Sequence, residues 1–165
     1  MATWGHGGLP VVENGELIGR AAKPAAQELL VHAGNYDDYL LRFSFRLAKG
    51  YSCVATPRDL SLRLLGDRSG GLIPSAPEHA IDPFSGPLWH QVIVDGWNDV
   101  VIQGRGRETI VKINGLAADR EDSAKAQAGQ ISLVLVGGIE TEIRFRDLRV
   151  RRIRPGERPS ESRPE

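Results

Sequence analysis

Apolar and polar residues alternate along much of this chain with the period of two that belongs to β-strands. The clearest run is "YLLRFSFRL". Tyr39, Leu41, Phe43, Phe45 and Leu47 fall on one face; Leu40, Arg42, Ser44 and Arg46 fall on the other. Successive side chains of a strand point to opposite sides, so this run predicts a half-buried antiparallel strand with a polar outer face. The longer stretch "ELLVHAGNYDDYLLRFSFRLA" predicts two strands joined at "AGNYDD". "VVENGELIG" predicts a hairpin, because Asn14-Gly15 supplies the positive φ angles of a tight turn between apolar flanks. "DVVIQ" and "ETIVKI" predict a second pair across a bend at Gly104-Arg105-Gly106, with a further turn at Asn114-Gly115. "YSCVAT" and "LSLRLLG" are shorter strands, and "QISLVLVGG", apolar on both faces, is a central one. In "TEIRFRDLRVRRI", Ile143 and Phe145 share a face. Leu148 and Val150 rejoin that face only with an extra residue near Arg146 or Asp147, which predicts a β-bulge.

Helical sequence is scarce. "PAAQELL" and "ADREDSAKAQA" have local helix propensity, but the second lacks an apolar stripe and predicts at most a short surface turn or helix. Many short strands in 165 residues predict an all-β domain of two stacked antiparallel sheets. The 19 glycines and 10 prolines fit that reading, since they cut the chain into short segments. "GLIPSAPEHAIDPFSGPLW" predicts a long surface loop of the kind that carries function. "RPGERPSESRPE" has no apolar residue and predicts a disordered tail over 154–165, leaving residues 1–153 as one domain.

Charge narrows the partners. The 21 basic and 21 acidic residues cancel, so no long-range field draws the chain to nucleic acid or to an acidic membrane. The arginines at 144, 146, 149, 151, 152 and 154 alternate with apolar residues and read as a solvated strand face. Cys53 is the single cysteine, which excludes an intrachain disulfide. "MATWGHGGLP" shows no signal peptide, and no apolar run approaches the ~20 residues of a spanning helix. Cytoplasmic location is the default expectation, with secretion the alternative if a leader was removed. The oligomeric state stays open.

The order of these features resembles the 3-keto-disaccharide hydrolase domain family, long known only as a domain of unknown function. Tyr36-Asp37-Asp38, Gly96-Trp97-Asn98, Asn114-Gly115 and Phe145-Arg146-Asp147-Leu148 match its motifs in order over roughly Thr3 to Ile153. The resemblance implies a concanavalin-like jelly-roll sandwich, a carbohydrate or glycoside ligand, and in some members cleavage of 3-keto-glycosides. One departure stands out. Where the family carries Glu-x-Gln-x-x-Asp, this chain reads "LSLRLLGD": Ser61 stands at the glutamate position and Arg63 at the glutamine position. Gly66 takes the aspartate position, unless Asp67 serves after a one-residue slip.

A 3-keto group acidifies the neighbouring C2 proton, because the resulting charge spreads onto the ketone oxygen. Such chemistry needs a base near C2 and a cation or donor near the ketone. Asp67, His79 and His90 are the candidate bases; Arg58 and Arg63 are candidate substrate-binding cations. Trp89 is the candidate for stacking on a sugar ring, whereas Trp97 and Trp4 read as packing residues. No cofactor is assigned, although a divalent cation near the ketone stays open. The histidines show no zinc-site spacing, "GRGRE" lacks the Lys-Ser/Thr of a phosphate loop, and no serine elbow occurs. The alternative to an enzyme is a non-catalytic carbohydrate-binding or protein-interaction sandwich.

Overall fold

A computed structural model describes residues 4–6, 11–21, 27–49, 51–57, 60–65, 79–81, 92–93, 95–122, 128–135 and 141–157. Thirteen strands run through them in chain order: β1 Trp4–His6, β2 Val11–Glu13, β3 Glu16–Ala21, β4 Gln27–Tyr36, β5 Tyr39–Lys49, β6 Tyr51–Thr56, β7 Leu60–Leu65, β8 His79–Ile81, β9 Asn98–Arg105, β10 Glu108–Ile113, β11 Leu116–Asp122, β12 Gly129–Leu135 and β13 Thr141–Arg152. They form two sheets. One has six strands in the order β1-β4-β12-β6-β7-β8; the other has seven in the order β11-β10-β9-β5-β13-β3-β2. All pairs are antiparallel except β7 with β8, which run parallel. The expected all-β sandwich is therefore present, with one parallel edge added.

The alternation of β5 holds it together. Tyr39, Leu41, Phe43, Phe45 and Leu47 are all buried, in one core with Val54, Leu62, Leu64, Ile131 and Leu133 of the six-stranded sheet. Phe43 meets Phe145 of β13 edge-on, ring centroids 5.9 Å apart, an arrangement that aromatic quadrupoles favour. Burying a side chain of this size contributes on the order of 2 kcal/mol.

The turns follow the sequence with one shift. Asn14 and Gly15 have φ of 52° and 78°, and Asn114 and Gly115 have 50° and 84°. Both pairs thus supply the two positive φ angles of a type I′ hairpin. The bend between β9 and β10 falls at Gly106-Arg107, one residue later than the expected Gly104-Arg105-Gly106. Gly104 is instead a strand residue, opposite Tyr39 and Thr109. The predicted bulge is present: the β13–β5 register shifts between Arg146 and Arg149, and Asp147 has φ 54°.

Where the two helix candidates are described, both enter strands, and residues 24–26 and 123–127 lie outside the described residues. "QELL" opens β4, which lies between β1 and β12, because two neighbouring strands outweigh a weak local preference. "ADRED" belongs to β11, paired with β10 alone. Of the expected tail, Arg154–Glu157 form a turn in which Glu157 accepts from the Arg154 N–H at 3.0 Å and from Arg151 at 2.6 Å. Residues 158–165 lie outside the described residues.

Two polar clusters position the chain. At one, Asn98 is 1% exposed, and both ends of its side chain are satisfied. Its Oδ1 accepts from Ile93 N (2.7 Å) and Asn114 Nδ2 (3.0 Å), while its Nδ2 donates to Ile93 O (2.9 Å) and Gly96 O (3.1 Å). Gly96 is required beside it, since an added Cβ would lie 2.3 Å from Ile93 Cγ2. At the other, Asp37-Asp38 carries the chain from one sheet to the other. Asp38 Oδ1 accepts from Gly106 N at 2.7 Å, and Asp38 O accepts from Ile153 N at 3.0 Å. Tyr36 folds back over Gly34, where an added Cβ would meet its ring at 2.8 Å.

On the outer side of the seven-stranded sheet, Glu142 accepts from Arg20 at 3.0 Å and from Arg144 at 3.2 Å, and Arg144 also reaches Glu16 at 3.1 Å. The Arg20 hydrogen bond is the main reason that the Glu142 carboxyl titrates below its ordinary value.

Two predictions follow from these contacts. Asn98→Asp keeps the accepting oxygen but turns a carboxylate oxygen toward the Ile93 and Gly96 carbonyls. Urea unfolding is expected to show a loss of about 2–4 kcal/mol. Glu142→Gln removes a carboxylate whose folded value is lowered, so the stabilisation is present above the unfolded value of about 4.3 and is lost as pH falls through the folded one. The gap between wild type and variant, about 0.5–1 kcal/mol at neutral pH for this partly exposed cluster, is expected to close in denaturation curves taken below about pH 4.

Candidate functional site

The register of the six-stranded sheet separates its two faces without ambiguity. Leu133, Val54 and Leu62 are paired in a row and are all buried, so their phase faces the core. The opposite phase carries the row Gly5, Val31, Ser132, Ala55, Ser61 and Ala80, drawn from all six strands. Five of these six positions hold glycine, alanine or serine. Ser132 is only 8% exposed although it lies on the outer side, so the row is recessed. The next row holds Val134, Cys53 and Arg63. Small residues at these positions add little bulk to that face, and serine and arginine are residue types that can donate hydrogen bonds.

The candidate residues divide as follows. Arg63 lies on β7 in the outer phase, opposite Cys53. Ser61 shares that phase, so two of the positions that depart from the resembled family's pattern fall on the outer face; Gly66, the third, lies outside the described residues. His79 opens β8 opposite Leu60, in the phase of Leu62 and Leu64. The register therefore sets Arg63 and His79 on opposite faces of the sheet and does not bring them together. Arg58, Asp67, Trp89 and His90 lie outside the described residues, as does most of the proline-rich loop. Among the described residues, no group of three or more His, Cys, Asp or Glu side chains could hold a metal ion, and no helix is long and apolar enough to cross a membrane.

Trp97 takes a packing role, with the Arg146 guanidinium 4.0 Å from its ring centroid. Tyr36 lies at the sheet-to-sheet corner, with Arg152 5.8 Å from its ring; burial raises its phenol above the ordinary value. Sequence reasoning missed the recessed row. Its residues are individually unremarkable, and pairing alone brings them together.

No family model and no curated protein matches this chain. Solved structures do share its architecture. A candidate glycosyl hydrolase from Parabacteroides distasonis aligns with TM-score 0.61 at 17% identity, covering 91% of this chain and 90% of that one. A second candidate glycosyl hydrolase from the same organism aligns with TM-score 0.63 at 11% identity, covering 89% and 87%. A structure from work on endo-acting O-glycanases that members of the human gut microbiota express to initiate mucin breakdown aligns with TM-score 0.52 at 14% identity, covering 84% and 80%. At such identities the likeness is one of fold, and the fold of this chain is that all-β sandwich.

Proposed function

We propose that this protein is a glycan-recognising β-sandwich whose ligand lies on the outer face of the six-stranded sheet. The observation that carries the reading is the fold shared, over about nine-tenths of the chain, with two candidate glycosyl hydrolases. The recessed row supports the location. A pyranose ring is a flat body with hydroxyls around its edge, and the Gly5, Ser132, Ala55, Ser61 and Ala80 positions, with Val31 among them, carry little side-chain bulk. Arg63, one row away, supplies charged donors to sugar hydroxyls or to a ring ketone.

Binding without turnover is the better-supported form. Hydrolysis of a 3-keto-glycoside would begin with removal of the C2 proton by a base, the electrons moving onto the ketone oxygen. The C1–O bond would then break as the leaving group took a proton, leaving a C1=C2 double bond, and water would add across it, OH at C1 and H at C2, to give the 3-keto sugar. The resembled family carries Glu and Gln on the strand that is β7 here, and this chain has Ser61 and Arg63 there instead. The second reading, a 3-keto-glycoside hydrolase, relies on Asp67, His79 or His90 as base, Arg58 and Arg63 as cations at the ketone, and Trp89 as a stacking platform.

The two readings part in one experiment. The protein is titrated with a panel of neutral oligosaccharides by NMR and incubated with a 3-keto-disaccharide. Saturable binding without release of 3-ketoglucose is expected, and Arg63→Ala is expected to weaken it about tenfold, the value of one charge-assisted hydrogen bond. Turnover that disappears in Asp67→Asn selects the hydrolase. Neither binding nor turnover overturns both.

A further inference from the structure

The outer face of the seven-stranded sheet carries chemistry that the glycan reading leaves unused. β5 and β13 are neighbours there, and their register sets Arg46 opposite Arg144 and Arg42 opposite Arg149. Arg146, opposite Ser44, stands between these two pairs. Lys112 of β10 extends the Arg149–Arg42 row, one strand beyond Val101 of β9. Like charges directly opposite on paired strands destabilise a sheet. Here two such pairs occur in succession, with a fifth arginine between them.

Local acids offset this only in part. Arg144 is held by Glu16 and Glu142. On β9, Asp99 accepts from Ser44 Oγ at 2.6 Å. Arg46 and Arg149 are exposed, and among the described residues neither meets a carboxylate. Arg146 Nε is buried without a hydrogen-bond partner, while its guanidinium is stacked on Trp97.

The identity of the cations points to the ligand. Arginine outnumbers lysine 17 to 4 in the chain. Its planar fork matches the two oxygens of a carboxylate or a sulfate, whereas lysine offers a point charge. The face is an antiparallel sheet surface, and Arg146 lies over one side of the Trp97 ring.

We propose that this face binds an acidic polysaccharide, whose carboxylate or sulfate groups bridge Arg46, Arg146 and Arg149. The surface lies on the opposite side of the sandwich from the recessed row, so the proposal stands or falls apart from that reading.

The test measures binding of the intact protein to polygalacturonate and to dextran sulfate, with neutral dextran and duplex DNA as comparisons. Binding to at least one acidic polymer is expected, strong at about 50 mM salt and much weaker at about 200 mM. The double variant Arg46→Gln/Arg149→Gln is expected to lose about tenfold or more in affinity. Its melting temperature at low salt is expected to hold or rise, because one member of each opposed pair is gone. Arg149→Lys, which keeps the charge and removes the fork, is expected to bind several-fold more weakly than wild type. Neutral-oligosaccharide binding on the other face should be unchanged in both variants. Failure to bind either acidic polymer, undiminished affinity in the double variant, or tighter binding to DNA than to both polysaccharides would overturn the proposal.

Discussion

The apolar row of β5 can be buried only if a second sheet covers it, and most of the architecture answers to that requirement. Tyr39, Leu41, Phe43, Phe45 and Leu47 project from one side of a strand that is itself in the middle of the seven-stranded sheet. The six-stranded sheet supplies the cover through Ile131, Leu133, Val54, Leu62 and Leu64. Because β4 and β5 belong to different sheets, the chain must cross between layers within Asp37-Asp38. That corner is accordingly tied at three points: Asp38 holds the β9–β10 turn, Ile153 binds back to it, and Arg152 donates to Asn35 O at 3.0 Å.

What the sequence disclosed was whatever a strand's own neighbours determine. Alternation marked β5, β9, β10 and β13 because each has one face in the core and one outside. The Asn-Gly pairs marked two hairpins because few other residues accept positive φ twice running. The phase break in β13 marked its bulge. The misreadings occurred where pairing overrode local preference. β4 begins in "QELL" and is a strand because β1 and β12 flank it. β11 carries "ADRED" on an edge with a single neighbour, where no period shows. The recessed row on the six-stranded sheet was invisible for the same reason, since its members are up to 127 residues apart and meet only through register. Arg63 was legible as a departure from a family pattern, but its face was not.

Several residues of the motifs that carried the family resemblance hold the backbone in place. Asn98 and Gly96 fasten the segment before β9. Asn114 and Gly115 make a turn and join the Asn98 network, and Asp38 fastens the corner. Such residues fix backbone that has no other means of support, so a fold can keep them while the face that meets a ligand changes.

The pairing of β3 with β13 has a consequence for how the protein is made. Arg20 meets Glu142 across 122 residues of sequence, and β2 reaches the sheet only through β3. During synthesis the hairpin of residues 11–21 leaves the ribosome early but has no strand to join until residues 141–152 have emerged. Its edge stays unpaired while the residues between 21 and 141 are added, and β5 waits likewise for β9 on one side and β13 on the other. Slow, non-local assembly of this kind exposes strand edges to other nascent chains. Circular permutation that places residues 11–21 after 157 would make those partners sequential, and should shorten the interval without altering the finished sandwich.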